Sequence, residues 1–484
     1  MTDLAPLEAA VAEHRRLAAS DPPTYEPELA GSLNNLSVAM AEVGRREEAL
    51  RAVEEAVQIR RRLAASDPST HEPELAGSLN NLSNRLAEAG RQEEALRAIE
   101  EAVTTYRSLS AANPGAFEAE LSSSLNNLSN RLAEAGRREE ALHAVEEAVQ
   151  IRHSRAASDP TAYEIDLASS LNNLSNRLGE VGRRVEALAA VEAAVEKYRS
   201  LAASDPAAYA ADLASSLNNL SVALGEVGRR VEALAAVEAA VEIRRNMAAA
   251  NPSAYEPDLA GSLNNLSVAM AEAGHQERAL AAIEEAVEIR RNMAAANPSA
   301  YEPDLAGSLN SLSNRLAEAG RQEEALKAID EAIEIRRRLA SSNPPAHDLH
   351  LARALGNRGR LYVRSERWDD AIASYLESLE IGRTYGDRRG AGLVLNDLGL
   401  AYAGAGRWDD AIASYTESLE IVHAYGDRYG EALALNNLGL VSIDRGDPAG
   451  AIRRLGDALA IFEELGAPEA ETVRSLLEPL TDRP

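Results

Sequence analysis

Apolar residues recur along this chain at the spacing of one helix face. Leu33, Leu36 and Met40 follow the i, i+3, i+7 pattern, and a second set with the same period occupies residues 49–63. Gly44 lies between the two sets, where a helix end commonly requires a left-handed residue. The pattern predicts a helical hairpin, whose first helix we call helix A and whose second we call helix B.

The hairpin pattern repeats along the chain, at first every 46 residues. After this 46-residue series the register continues less faithfully at Leu355, Leu395 and Leu435, where the spacing between hairpins falls to 40 residues. Together these registers predict ten hairpins, seven long and three short. The long ones share the string S-L-N-N-L, or S-L-N-S-L in the last, at intervals of 46 residues beginning at Ser32, Ser78, Ser124, Ser170, Ser216, Ser262 and Ser308.

The ends of the hairpins carry proline, acidic and aromatic residues. Helix B is predicted to end at a run such as Ser66-Asp67-Pro68, because proline disfavours helical geometry in the residue before it. Helix A is expected to begin beside a carboxylate that suits its first turn, namely Glu28, Glu74, Glu120, Asp166, Asp212, Asp258 or Asp304. Aromatic residues are expected to pack the loop between hairpins, at Tyr25, His71, Phe117, Tyr163, Tyr209, Tyr255, Tyr301 and His347.

One small residue marks the contact between helix A and helix B. Alanine recurs without exception at 49, 95, 141, 187, 233, 279, 325, 371, 411 and 451. The two helices are therefore expected to approach closely there, since a larger side chain would overpack the contact. A single hairpin cannot bury both of its apolar faces. The fold class predicted is all-α, a solenoid of stacked antiparallel helical hairpins.

The repeat registers divide the chain into four expected segments. They are an N-terminal half-unit with helix B only (1–22), seven 46-residue units (23–345), three shorter units (346–466), and a capping helix with a tail (467–484). The half-unit leaves an apolar face that local packing, self-association or a partner could cover. Arg358 replaces an inner leucine and Glu366 replaces the turn glycine, which indicates a joint between the two subarrays.

The short repeats carry Leu398-Gly399, Tyr402, Trp408, Ala411 and Tyr415, which resemble the tetratricopeptide-repeat signature. The long repeats resemble those of kinesin light chains and their bacterial relatives, and the C-terminal repeats are similar to arrays attached to bacterial signalling ATPases and regulators. The resemblance implies a right-handed superhelix in which helix A lines a concave surface. It also implies that the chain binds proteins or peptides.

Composition and charge limit the classes of partner that the chain is expected to bind. The formal net charge is −27, which opposes binding to nucleic acid or anionic lipid and favours a neutral or basic protein partner. Cysteine is absent, so disulfides and thiolate sites are excluded. The N-terminus has no signal-peptide pattern and no stretch approaches 18 apolar residues, so a soluble, cytoplasmic protein is expected.

The candidate binding residues are asparagines of helix A that the core does not use. Asparagine is unfavourable inside helices, so its repetition requires a reason. Its amide offers a donor and an acceptor to an extended peptide, and in kinesin light chains comparable asparagines line the groove. The alternative is that the amides bond neighbouring helices. The candidates are Asn34, Asn35, Asn80, Asn81, Asn84, Asn126, Asn127, Asn130, Asn172, Asn173, Asn176, Asn218, Asn219, Asn264, Asn265, Asn310 and Asn314.

The predicted groove is not uniform. A third amide stands at Asn84, Asn130, Asn176 and Asn314, whereas three other units carry Val38, Val222 and Val268. The amide units would prefer polar or acidic segments and the valine units apolar side chains, unless the difference is drift among duplicated units. A glutamate recurs four residues later, either as an acidic rim or as a solvated helix end, at Glu42, Glu88, Glu134, Glu180, Glu226, Glu272 and Glu318.

Catalytic, metal and cofactor sites are not expected. The carboxylates follow the repeat period without a distinct acid–base pair, and Gly404-Ala405-Gly406 lacks the remainder of a dinucleotide motif. His347 and His350 stand three residues apart without further ligand signals. The leading hypothesis is a peptide-binding scaffold and not an enzyme. The alternatives are a sensor array controlling a signalling effector, ATPase or protease-like, and a self-assembling solenoid.

Overall fold

The computed structural model describes residues 4–481, with the backbone alone for residues 160–162 and 481. This part of the chain is helical and contains no strand. The helices are α1 (Ala5–Ser20), α2 (Pro22–Glu42), α3 (Arg46–Ser66), α4 (Pro68–Glu88), α5 (Gln92–Ala112), α6 (Pro114–Glu134), α7 (Arg138–Ser158), α8 (Pro160–Glu180), α9 (Arg184–Ser204), α10 (Pro206–Glu226), α11 (Arg230–Ala250), α12 (Pro252–Glu272), α13 (Gln276–Ala296), α14 (Pro298–Glu318), α15 (Gln322–Ser342), α16 (Pro344–Arg364), α17 (Trp368–Thr384), α18 (Arg388–Gly404), α19 (Trp408–Ala424), α20 (Arg428–Asp444), α21 (Pro448–Glu464) and α22 (Glu469–Thr481). The even-numbered helices from α2 to α20 are the A helices.

The A helices of the long repeats begin earlier than the sequence analysis expected. Each starts at the proline itself, and the preceding Asp or Asn is the N-cap; Asp67 Oδ1, for example, accepts a hydrogen bond from the Thr70 amide at 3.3 Å. Proline is suited to this first position because the missing N–H has no intrahelical acceptor there. The expectation for the acidic series was therefore wrong, since Glu74 lies in the second turn of α4.

The aromatic series was also placed wrongly. Tyr25 is the fourth residue of α2 and His347 the fourth of α16, so both belong to the first turn of a helix and not to a loop. The error has the same cause, because the Asp-Pro or Asn-Pro pair ends helix B and begins helix A at once. Only one non-helical residue separates the two helices at this junction, such as Asp67 between α3 and α4.

The turn between helix A and helix B has the predicted left-handed residue. Gly44 has φ 81°, and the equivalent glycines of the other long repeats are also positive. In the eighth repeat Glu366 occupies the same place with φ 56°, the one positive-φ residue other than glycine in the described part of the chain. The turn geometry is thus maintained even where glycine is missing, at a conformational cost that glycine would not incur.

The invariant alanines lie at close helix contacts, as predicted. Ala49 is fully buried, and its carbonyl accepts a hydrogen bond from Ser37 Oγ of helix A at 2.7 Å. In the short repeats glycine replaces this serine, and an ideal Cβ on Gly359 would lie only 2.5 Å from Cε1 of Tyr375. Long repeats therefore pair serine with valine or isoleucine, two of the short repeats pair glycine with a buried tyrosine, and the last pairs Gly439 with Leu455.

The chain divides into two compact units, Met1–His275 and Gln276–Pro484. The division falls within the series of long repeats and not where the repeat length changes. Within each unit the A helices of consecutive repeats contact one another, as α2 does with α4 and α16 with α18. No two B helices approach to a comparable extent in the described residues. Closer spacing of the A helices places them on the inner side of each stack.

Candidate functional site

The first asparagine of the pairs from Asn34 to Asn218 bonds the next repeat. Nδ2 of Asn126 donates to Ser170 Oγ at 2.8 Å, and Asn218 does the same to Ser262 at 2.8 Å. Both side chains are buried, with 6% of their surface exposed. Asn34 Oδ1 instead accepts hydrogen bonds from side chains of the following repeat. These amides stabilise the stack, since a buried amide is costly unless it is hydrogen-bonded.

The second asparagines divide into two groups. Asn81 Nδ2 donates to Asn34 Oδ1 at 3.1 Å and Asn127 Nδ2 to Asn80 Oδ1 at 3.0 Å, so these amides link consecutive A helices. In contrast, Asn35, Asn219 and Asn265 form no side-chain hydrogen bond with any residue that the structure describes. The sequence-derived set therefore contains both bonded and available amides.

The asparagine that follows the pair on helix A in some repeats, the third amide, is available to bind a ligand. Asn84, Asn130, Asn176 and Asn314 are exposed or half-buried, and within the described residues their side chains have no hydrogen-bond partner. The equivalent valines are exposed too, by 40% for Val38, 51% for Val222 and 47% for Val268. A position that accepts either residue while facing solvent is not required by the core. We call Asn84, Asn130 and Asn176, on α4, α6 and α8, the amide stripe.

The sequence analysis missed a network of arginines on the B helices, which hydrogen-bond to the neighbouring A helices. Arg152, near the end of helix B, is 6% exposed and donates from Nη1 to the Asp166 carbonyl at 2.7 Å and to Ser170 Oγ at 2.8 Å. Arg244 repeats the arrangement with the Asp258 carbonyl. Burial lowers the pKa of both guanidinium groups. The sequence did contain a signal for this network, because a polar residue recurs at 46-residue intervals on the apolar face of helix B.

The recurring glutamates lie at the last residue of helix A and pair with arginine in the amide-bearing repeats. Arg131 and Glu134 approach to 3.2 Å, and Arg177 and Glu180 to 3.1 Å. Burial raises the pKa of Glu134, while Arg131 and Arg177 oppose that shift. The acidic rim is thus largely neutralised wherever the amide stripe runs.

A groove of about 380 Å³ lies between α8 and α10 on the A-helix side. Its lining includes Asn176, Asn219, Val222 and Glu226. An ideal Cβ on Gly179 would lie 3.5 Å from Glu226 Oε2, an ordinary contact distance, so the carboxylate of the next repeat lies directly beside this position. The groove therefore combines two unbonded amides, an exposed apolar side chain and two carboxylates, of which Glu180 is paired with Arg177, and this lining suits a mixed polar and apolar peptide.

Neither a metal-binding cluster nor a membrane-spanning helix is found among the described residues. No group of three or more His, Asp or Glu side chains is arranged to hold a metal ion there. His347 and His350 both lie on α16, and burial lowers the pKa of each. None of the described helices combines the length and apolarity needed to cross a bilayer.

The fold and site define a class of protein, a stack of helical hairpins that presents the surface of its A helices. Two family profiles, each described as tetratricopeptide repeat, match most of the chain, one at 29–68, 75–113, 121–154, 167–206, 213–248, 259–294 and 305–346 and the other at 350–422 and 391–464. The chain belongs to the tetratricopeptide-repeat family. Proteins of this family are generally protein-interaction scaffolds and are normally not catalytic.

Several solved structures are similar to the chain, whereas no curated protein matches it. RapI in its apo form aligns with a TM-score of 0.52 at 13% identity, over 81% of this chain and 98% of RapI. BtubC (BKLC) from P. vanneervenii aligns at 23% identity and TM-score 0.42, over 51% and 92%. A putative kinesin light chain from Podosopora anserina aligns at 20% identity and TM-score 0.36, over 46% and 98%. The RapI alignment supports the fold.

Proposed function

We propose that the chain is a scaffold that binds an extended peptide segment of a partner protein along the amide stripe. The observation that carries this proposal is the set of unbonded amides of Asn84, Asn130 and Asn176 on three consecutive A helices. Packed helices lie roughly 8–10 Å apart, and an extended peptide rises about 3.3 Å per residue. Successive amides would therefore meet every third residue of a bound peptide.

The neighbouring repeats extend the same surface with apolar side chains. Val222 and Val268, on α10 and α12, replace the third amide and are about half exposed. A partner segment with polar residues followed by apolar ones would match this order. The overall charge of −27 favours a neutral or basic partner, because this chain and an acidic protein repel each other at long range.

The test uses a substitution that the chain itself tolerates. Valine occupies the third position in α2, α10 and α12, so the triple variant Asn84→Val, Asn130→Val, Asn176→Val is expected to fold normally. Peptides of about twelve residues would be selected by display on the wild-type chain and labelled for fluorescence anisotropy. We expect the triple variant to bind them at least tenfold more weakly, which is about 1.4 kcal/mol.

The matched control is Asn126→Ala, which removes an amide that bonds Ser170 instead of facing the groove. This variant should unfold more easily because Ser170 loses a buried donor, and it should retain most of its peptide affinity where folded. Unchanged affinity in the triple valine variant would show that the amide stripe does not contact the peptide, and would overturn the proposal.

A further inference from the structure

The solvent-facing side of helix B carries charge in five of the seven long repeats. On α3 it presents Glu47, Arg51 and Glu55, and the B helices α5, α7, α13 and α15 keep glutamate at the first and third of these positions. The first position is the most open to solvent, since the side chains of Glu47 and Glu93 are each 92% exposed. A polar face of this kind is ordinary for a surface helix.

The B helices α9 and α11 lack this charge. Valine replaces the first glutamate in both, and alanine occupies the second and third positions. Val185 is 76% exposed and Val231 is 81% exposed, the two highest values for a large apolar side chain in the described part of the molecule. We define the apolar face as Val185, Ala189, Ala193, Val231, Ala235 and Ala239.

Neither helix formation nor core packing accounts for these valines. Val185 is the second residue of α9, where a glutamate would interact favourably with the helix dipole and valine is a poorer helix former. The core contacts of α9 are made by other residues, such as Ala187 and Val191, which are at most 1% exposed. An exposed apolar surface without a role inside the chain indicates a protein interface.

A series of ion pairs between consecutive B helices is interrupted at the same place. Elsewhere an arginine near the end of one B helix pairs with the third-position glutamate of the next, as Arg61 does with Glu101 at 2.5 Å and Arg107 with Glu147 at 2.5 Å. The equivalent of this glutamate on α11 is Ala239. Arg199 therefore has no ion-pair partner among the residues that the structure describes.

Charged residues at the two ends of the apolar face are arranged in a self-complementary order. On α9 an exposed Arg184 precedes the face and an exposed Glu196 follows it, and α11 repeats the order with Arg230 and Glu242. None of these four side chains forms an ion pair with another described residue. A helix that is basic at its start, apolar in the middle and acidic near its end complements an antiparallel copy of itself.

We propose that two copies of this chain form a two-fold dimer through the apolar face, with α9 packed against α9 and α11 against α11 in antiparallel orientation. Pairing centred near residue 190 brings Arg184 of one copy beside Glu196 of the other, and the symmetry makes each contact twice. Arg230 and Glu242 meet in the same way on α11. The alanines between these ends allow the helix backbones to approach closely.

The area of the face sets the expected strength of the dimer. A 21-residue helix such as α9 or α11 is about 30 Å long and about 10–12 Å wide, so the two helices together present roughly 600 Å². A standard protein interface uses about 800 Å² of each partner. The face is therefore large enough for a specific but reversible dimer, with a Kd of roughly 1–50 µM.

The dimer would leave the A-helix surface of both copies uncovered. If the proposed function holds, one dimer carries two amide stripes and binds a partner with two matching segments more tightly than a monomer does. The apolar face and the amide stripe share no residue. Loss of the dimer and loss of peptide binding can therefore be observed separately.

Sedimentation equilibrium of the full chain, from about 1 µM to about 500 µM, should show the mass rising from monomer to dimer. Because the net charge of −27 opposes association at long range, the buffer contains about 0.15 M salt, where the Debye length is about 8 Å. The variant Val185→Glu with Val231→Glu restores the residue that the other long repeats carry, so it should fold. It should dimerise at least tenfold more weakly.

The matched control is Val222→Asn with Val268→Asn, which removes two exposed valines from the A helices of neighbouring repeats. Asparagine is the residue that other long repeats carry there, and the control should dimerise as wild type. Charge reversal tests the proposed pairs. Arg184→Glu with Arg230→Glu should weaken the dimer, and adding Glu196→Arg with Glu242→Arg should restore it.

Single cysteines test the antiparallel orientation, because the chain has no cysteine of its own. Ala189→Cys lies near the proposed two-fold axis, and oxidation should give a disulfide-linked dimer. Ser200→Cys lies ten residues from the centre, so its two copies would be about 30 Å apart and should not form a disulfide. A parallel pairing would bring both cysteines within reach.

Four results would each overturn the proposal. The first is a monomer at about 0.5 mM wild-type chain. The second is a dimer that is unaffected by Val185→Glu with Val231→Glu. The third is an equal loss of dimer in Val222→Asn with Val268→Asn, which would place the contact on the A helices. The fourth is equal disulfide formation by Ala189→Cys and Ser200→Cys.

Discussion

The buried arginine network makes a quantitative prediction at Arg152. Its guanidinium group bonds the Asp166 carbonyl and Ser170 Oγ through Nη1, Ser122 Oγ through Nε at 3.1 Å, and Ser123 Oγ through Nη2 at 3.1 Å. A hydrogen bond to a charged group contributes roughly 1.5–3 kcal/mol, but burying the charge costs several kcal/mol. We therefore expect Arg152→Ala to destabilise the junction of α6, α7 and α8 by about 2–4 kcal/mol.

The assay should report local stability, because a long repeat array unfolds in parts and not as one unit. Amide hydrogen exchange of the full chain would show α7 and α8 exchanging roughly thirtyfold to several hundredfold faster, with α18 to α20 unchanged. The control Arg107→Ala removes an exposed pair with Glu147 and should cost at most about 1 kcal/mol. Exchange in α7 and α8 within about twofold of wild type would refute the assignment of Arg152 to the stack.

Three further predictions concern the short repeats. Glu366→Gly should raise stability by roughly 0.5–1 kcal/mol in thermal unfolding, since it relieves a left-handed φ of 56°. Gly359→Ala should cost about 1–3 kcal/mol because its Cβ would clash with the Tyr375 ring, and adding Tyr375→Val should restore part of the loss. Asp397 has a raised pKa, so the native state holds its proton more readily than the unfolded chain and stability falls as pH rises through that pKa. Asp397→Asn should remove this decline in unfolding measured across a pH series, leaving the variant more stable than wild type near pH 7.

Much of the architecture could be predicted from the repeat period. The turn at Gly44 and the close contact at Ala49 follow from local chemistry, because a left-handed turn favours glycine and a close helix approach favours alanine. Agreement across many registers made the helical hairpin evident. The start of helix A was missed because the proline was interpreted only as the end of helix B, although Asp or Asn before proline is also an N-cap followed by a favourable first residue.

The binding surface could be predicted only in part. A sequence shows that Asn126 and Asn130 both repeat, but it does not show that Asn126 is bonded to Ser170, 44 residues away, while Asn130 has no partner in the described residues. The cavity between α16 and α18 is a similar case. Arg353 and Leu393 are 40 residues apart, and only packing of α16 beside α18 places them at one cavity.

The sequence by itself therefore determined the repeat, its helical hairpins and its turns, because these depend on residues within a few positions of one another. Tertiary structure decided which polar side chains support the stack and which remain available to a partner. Many of the hydrogen bonds and ion pairs between repeats join residues 37 to 47 positions apart, as in Asn81 with Asn34 or Arg91 with Glu54. Whether such groups meet depends on the spacing of whole helices, which local periodicity does not encode.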